Sequence, residues 1–138
     1  MLDKQRILVK IDELEGYLKE LKSILPKDYD EYLSSIEKRR ACERLLQISV
    51  ECAVDICGFF ISGLQLGLPA EESDIFEKLF QNKIISAGVR DILKSMKGFR
   101  NIIVHDYAGI DNAIVYEIAT ARLTDFERFI REILNALR

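Results

Sequence analysis

The chain has 138 residues, of which 49% are hydrophobic and 31% are charged, and its formal net charge is −3 at neutral pH. This length and apolar content predict a single domain over residues 1–138 and exclude global disorder. The slight acidity excludes a broad basic surface, so any site for nucleic acid would have to be local, and it suits a protein that works with a protein partner.

The apolar residues recur at intervals of three and four along most of the chain, which has only two prolines and seven glycines. This pattern predicts an all-α protein, an up-and-down four-helix bundle with one short additional helix. The first helix is expected from about Leu2 to Leu25, before Pro26. Its apolar positions form a heptad-type seam, which fits either a face packed in a bundle or a dimer helix.

A second helix is predicted to start at Asp28 or Asp30 and to run as far as Phe60. It is apolar almost all round, which is typical of a buried helix. A polar stripe nevertheless recurs at every fourth position, formed by Glu43, Gln47, Glu51 and Asp55. The stripe is either a solvated face or the lining of a cleft, where its side chains would orient catalytic groups from another helix.

The remaining elements begin at recognisable capping residues. Ser73 is expected to open a short helix that ends near Asn82, and Ser86 to cap a helix that reaches Val104. A last helix is predicted from Asp111 to about Leu137. Three arginines on this helix are either solvated or flank a path for nucleic acid: Arg122, Arg128 and Arg131.

The cysteines give no sign of a metal site. Cys42, Cys52 and Cys57 lie inside one predicted helix, and with a single histidine they form no zinc pattern. Reduced core cysteines are the better interpretation, which predicts a cytoplasmic protein without a metal or other cofactor. The segment 1–15 is charged throughout, unlike a signal peptide, and the most apolar window, 48–68, contains acids and glycines, so no membrane span is expected.

The segment 98–111, G-F-R-N-I-I-V-H-D-Y-A-G-I-D, contains the only histidine. Arg100 and His105 form an R-x4-H arrangement, and Tyr107 extends it to R-x4-H-x-Y. In a regular helix, residues five apart point about 140° away from each other, whereas Asn101 and His105, four apart, share a face. Arg100 and His105 therefore converge only if the helix ends near His105 or if a second chain completes the site.

An arginine next to a histidine suits the cleavage of RNA phosphodiesters. The arginine can hold a phosphate and stabilise charge in the transition state, and the histidine can take or give a proton. No metal is needed if the RNA 2′-hydroxyl is the nucleophile. The alternatives are a chance pairing and a histidine that complements the dipole at a helix C-terminus.

The run Arg100–Asp111 resembles the signature of HEPN-domain proteins of the HepT type, whose motif is R-x4-6-H, usually with Asn after the Arg. One branch of the family has the longer motif R-x4-H-x-Y. Four residues of this sequence match it: Arg100, Asn101, His105 and Tyr107. The resemblance extends to Arg40–Glu51, which looks like the second helix of the family, and to Gly67–Pro69, which looks like its mid-chain connector. It covers nearly the whole chain.

The resemblance implies a metal-independent endoribonuclease toxin that forms a homodimer with a shared cleft. Arg100 and His105 would be catalytic, and Asn101 would position the phosphate or the histidine. The supporting residues expected from the polar stripe are Glu43, Gln47 and Glu51. The implied partner is a minimal nucleotidyltransferase antitoxin, MntA, which would silence the toxin by transferring AMP to Tyr107. The alternatives are a non-catalytic or nucleotide-binding partner of such a transferase, and for Tyr107 a packed, hydrogen-bonded ring.

Overall fold

The computed structural model describes residues 1–105 and 109–138, and within these ranges it contains seven helices and no strand. The predicted all-α class is confirmed. The helices are α1 (Lys4–Ile24), α2 (Tyr29–Ser34), α3 (Ile36–Gly63), α4 (Glu72–Gln81), α5 (Ala87–His105), α6 (Asn112–Ala121) and α7 (Leu123–Ala136).

The long helix α3 forms the centre of the bundle and packs against α1, α2, α4, α5 and α6. Its length and composition would allow it to cross a membrane, but half of its most apolar window is buried inside the bundle, which is typical of a core helix. The seam of α1 is buried within the same chain, and α1 packs chiefly on α3. The seam is therefore a bundle face, one of the two interpretations of the sequence.

The predicted second helix is wrong as a continuous element, because the chain leaves helical geometry at Ser35. This residue is extended, with φ −117° and ψ 103°, and its side-chain oxygen accepts a hydrogen bond from the Lys38 backbone N–H. Asp28 caps α2 by accepting from the Glu31 N–H. Two capped helices thus replace the single helix, and the break lets α2 turn to pack against α6 as well as α3.

The predicted last helix is also interrupted, at Arg122, where the backbone has φ −112° and ψ 6°. The Arg122 Nε donates to Asp125 Oδ2 at 2.9 Å, across the first turn of α7. Asp111 caps α6 as expected, accepting from Ala113 and Ile114. The short helix α4 begins one residue before Ser73, and its N-terminus is closed by a reciprocal pair, Glu71 and Asp74.

Candidate functional site

Helix α5 determines where the motif side chains lie. Ser86 caps this helix by accepting a hydrogen bond from the Val89 N–H, as the sequence predicts. Val89, Leu93 and Ile103 are buried against the bundle, and α5 packs on α3, α4 and α7. This burial fixes the rotation of the helix and leaves the polar groups of its last two turns at the rim of the bundle.

Arg100 is held on two sides by polar partners. Its Nη1 donates to Asn101 Oδ1 at 2.9 Å. Its Nε lies 3.8 Å from Glu51 Oε1 on α3, and the two side chains are 25% and 33% exposed. Gln47 Nε2 donates to the same Glu51 oxygen at 2.9 Å. We call Gln47, Glu51, Arg100 and Asn101 the motif cluster; it brings together two of the predicted stripe residues and two of the predicted motif residues.

His105 stands apart from this cluster. It is exposed at the end of α5 and makes no hydrogen bond or ion pair with any described residue. The chain is helical from Ala87 to His105, so the directions of Arg100 and His105 differ by about 140° around the axis, with a rise of about 7.5 Å. Helical geometry within one chain therefore does not bring the two groups to the same point.

The polar stripe of α3 does not form a single face. Residues four apart advance by about 40° around a helix, so the stripe winds by about 120° from Glu43 to Asp55. Asp55 accordingly pairs with Lys10 of α1 at 3.7 Å, away from α5. Glu43 is buried and pairs with Arg40 at 2.9 Å, without a direct bond to Arg100. Within the described part of the chain, Glu51 is the stripe residue that forms an ion pair with the motif helix, and Gln47 acts through its hydrogen bond to Glu51.

A small cavity of about 160 Å³ adjoins the motif cluster, and sequence reasoning missed its two arginines. It is lined by Arg40, Glu43, Arg44, Gln47, Ile103 and Ile110. A signal was present, because Arg40, Glu43 and Arg44 are three and four residues apart and must share one face of a helix, where a single carboxylate faces two guanidinium groups. A larger, mainly apolar cavity of about 280 Å³ has Met96 and Phe99 in its wall but neither Arg100 nor His105.

The other candidate groups contribute little to this site. Tyr107, the predicted AMP acceptor, lies outside the described residues. The described ranges contain no group of three or more His, Cys, Asp or Glu side chains that could hold a metal ion. Burial raises the pKa of the Cys42 and Cys52 thiols to about 11, so neither is a thiolate nucleophile near neutral pH.

Comparison with known proteins identifies the family to which the chain is similar. Residues 14–133 match the model of the family described as ribonuclease HepT-like. The chain is 41% identical to an mRNA nuclease HepT of Shewanella oneidensis over 85 residues, which are 62% of this chain and 64% of that relative. The match to this relative thus covers somewhat less than two thirds of its length. A tRNA nuclease HepT of Aphanizomenon flos-aquae is 29% identical over 131 residues, 95% of this chain and 89% of the relative.

The fold has a close counterpart among solved structures. The tri-AMPylated HEPN toxin of Shewanella oneidensis, solved in complex with an MNT antitoxin, superimposes with a TM-score of 0.88 at 32% sequence identity. The match covers 98% of this chain and 99% of that one. The likeness therefore includes α5 and the α3 segment that faces it.

Proposed function

The chain belongs to the ribonuclease HepT-like family, and on that premise we propose that it is the endoribonuclease toxin of a toxin–antitoxin pair. The observation that carries the proposal is the arginine of the R-x4-H motif, held between Glu51 and Asn101, with an exposed histidine at the end of the same helix. The nuclease names of the two relatives support the same activity.

The proposed reaction uses the RNA 2′-hydroxyl and no metal. His105 takes the 2′-hydroxyl proton, the 2′-oxygen attacks the adjacent phosphorus, and the bond from phosphorus to the 5′-oxygen breaks. The products are a 2′,3′-cyclic phosphate and a 5′-hydroxyl, which receives its proton from a protonated histidine or from water. Arg100 stabilises the charge on the phosphoryl oxygens. Glu51 and Asn101 hold the guanidinium in place, and Gln47 holds Glu51.

We propose that the working form is a homodimer with the two motifs in one cleft. The support is geometric: Arg100 and His105 leave one helix in directions about 140° apart, so a second chain can present its histidine to the arginine of the first. The protein acts in the cytoplasm, where its buried cysteines stay reduced.

We further propose that an MntA-like nucleotidyltransferase silences the toxin by adding AMP to Tyr107. The added phosphate would pair with Arg100, and the nucleotide would occupy the space that RNA needs. The Shewanella toxin, which is AMPylated and bound to an MNT antitoxin, supports this assignment. Tyr107→Phe removes the acceptor oxygen and keeps the ring, so this variant should cleave RNA but resist silencing by the transferase with ATP.

Mass spectrometry checks the acceptor. We expect added AMP on the wild-type chain and none on Tyr107→Phe. Tyr116→Phe is the matched control, because the Tyr116 hydroxyl donates to the Pro26 carbonyl at 2.8 Å and packs among other tyrosines. Modification that persists in Tyr107→Phe, or is lost in Tyr116→Phe, would refute the assignment.

The ribonuclease itself is tested by cleavage of total RNA by the purified protein with a chelator present. Arg100→Ala and His105→Ala should each lower the rate by about 100-fold or more, the range for losing a charge-stabilising or proton-transferring group. Arg131→Ala, an exposed arginine on α7, should keep the wild-type rate. Undiminished cleavage by either motif variant would overturn the proposal.

A further inference from the structure

We infer that Arg44 is the cationic group of a phosphate-binding subsite that holds the backbone of single-stranded RNA beside the cleaved bond. The inference rests on the proposed function and specifies how that site holds its substrate. It concerns the cavity lined by Arg40, Glu43, Arg44, Gln47, Ile103 and Ile110.

The first argument is charge. Arg40 Nη1 donates to both carboxylate oxygens of Glu43, at 3.2 and 2.9 Å, and the Glu43 side chain is only 6% exposed. The charges of this pair offset each other. Arg44 is exposed and makes no ion pair or hydrogen bond with any described residue. The cavity therefore carries one positive charge that the described part of the chain does not neutralise.

The second argument is position. Gln47 lines the cavity and also donates to Glu51, which contacts Arg100. Ile103 lines the opposite side and lies on α5 between Arg100 and His105. The subsite and the motif cluster thus share Gln47 and the last turns of α5, so one strand of RNA can reach both.

The third argument is contrast with the other arginines. Arg90, Arg122 and Arg128 are engaged by carboxylates, at 3.1, 2.9 and 3.8 Å respectively. Four further arginines have no carboxylate partner among the described residues, but none of them lines this cavity or belongs to the motif cluster: Arg6, Arg39, Arg131 and Arg138. Arg131 lines a separate cleft that faces α1. In a chain with a net charge of −3, a guanidinium next to the motif that has no partner among the described residues is a specific feature, and a phosphate is the ligand that matches it.

Single-stranded RNA is the occupant that fits the chemistry. Cleavage by the 2′-hydroxyl requires a strand flexible enough to align this oxygen with the phosphorus, and proteins that bind single strands follow the backbone with positive groups. Arg44 would hold a phosphate next to the one at Arg100. It contributes to binding of the strand and takes no part in the bond changes.

Binding is measured by fluorescence anisotropy with a short fluorescein-labelled single-stranded RNA, in the His105→Ala background so that the RNA stays intact. Arg44→Gln should weaken binding about fivefold, which corresponds to the loss of one solvent-exposed contact of about 1 kcal/mol, and should flatten the plot of log K against log salt by about 0.7. Arg44→Lys should keep the wild-type slope. Arg131→Gln is the matched control for the charge change and should alter neither quantity.

The variants should fold like the wild type. Arg44 is solvent-exposed and lies in the middle of α3, and Gln and Lys have helix propensities close to that of Arg. Circular dichroism should be the same for all variants. With His105 intact, Arg44→Gln should raise KM about fivefold and leave kcat unchanged, whereas loss of a group in the motif cluster lowers kcat.

The outcomes separate the two proposals. Cleavage by the wild type with normal RNA binding by Arg44→Gln would overturn the subsite and leave the nuclease intact. Arg44-dependent binding without cleavage by the wild type would overturn the nuclease and support the subsite. If Arg44→Gln and Arg131→Gln weaken RNA binding equally, the attraction is general and electrostatic, which would overturn the subsite. Absence of RNA binding by the wild type would also overturn it.

Discussion

The two ends of α5 differ in how fully their polar groups are bonded. At the N-terminal end, the Ser86 backbone N–H and hydroxyl donate to the two oxygens of Glu132, at 2.6 and 2.8 Å. The Ser86 hydroxyl also accepts from the Val89 N–H, and Arg128 lies 3.8 Å from Glu132. At the C-terminal end, Arg100 has one neighbouring amide and one carboxylate at 3.8 Å, and His105 is exposed.

This difference separates structural groups from functional ones on a single helix. The groups around Ser86 satisfy one another and tie α5 to α7, so they stabilise the fold and have no capacity left for a ligand. The groups around Arg100 keep solvent access and donors that no described residue occupies, as a site for a phosphate requires. Substitutions at the first end should therefore change stability, and substitutions at the second should change activity.

The largest effect is expected at the C-terminal end. Arg100→Lys keeps the charge but loses the planar fork of donors, so we expect cleavage to slow by about 100-fold. The free energy of unfolding should change by less than about 0.5 kcal/mol, because the side chain is partly exposed and its ion pair is long. Single-turnover cleavage and urea unfolding measure the two quantities. If Arg100→Lys is destabilised but fully active, the C-terminal end of α5 is structural and the assignment of the two ends is wrong.

The next effect is expected at the N-terminal end. Glu132→Ala removes both acceptors of Ser86 and the partner of Arg128, and should lower the free energy of unfolding by about 2 kcal/mol. Cleavage should remain normal at temperatures where the variant is folded. Glu127→Ala is the control on the same helix, since its partner Lys22 is exposed and the pair contributes about 0–1 kcal/mol. Equal urea midpoints for the two variants would contradict the structural role of Ser86 and Glu132.

The smallest effect concerns the thiols of α3, away from both ends of α5. Burial raises the pKa of Cys52 to about 11 from an ordinary value of 9.0. The native state therefore keeps this proton longer than the unfolded state does. Its contribution to stability is complete below about pH 9 and is lost as the pH rises towards 11.

Cys52→Ser should reduce this alkaline loss, although it also weakens packing. Urea unfolding of the wild type and the variant at pH 8 and pH 10 checks the direction. An identical change in the free energy of unfolding for both proteins would show that Cys52 does not contribute.

Much of the fold follows from spacing and capping residues. Asp28, Ser86 and Asp111 cap helices where the sequence predicts them. The breaks at Ser35 and Arg122 do not follow, because serine and arginine are both accepted inside helices and the apolar period of the last helix continues through Arg122. Only the competing contacts of α2 with α6, and of Arg122 with Asp125, distinguish two helices from one.

The candidate site, like the fold, was predictable in part. The spacing of Arg100 and His105 gives their divergence on a helix, and the stripe identifies Glu51 and Gln47 as candidate partners. The winding of the stripe follows from the helical period, but the partner of each member depends on the neighbouring helices, so the sequence could not separate Asp55, which pairs with Lys10, from Glu51. Whether an arginine lacks a partner, as Arg44 does within residues 1–105 and 109–138, depends on side-chain conformations that spacing does not determine.

The central claim is that the RNA 2′-hydroxyl is the nucleophile at the site of Arg100 and His105. The most direct test is whether cleavage depends on the 2′-oxygen of the substrate. An RNA oligonucleotide that is cut at a single bond is compared with the same oligonucleotide carrying a 2′-deoxy sugar at that position, with a chelator present. We predict a 2′,3′-cyclic phosphate end on the normal substrate and no cleavage at the deoxy position. Cleavage of the deoxy substrate at the same bond, or a 3′-hydroxyl end on the normal substrate, would contradict the proposed roles of Arg100 and His105.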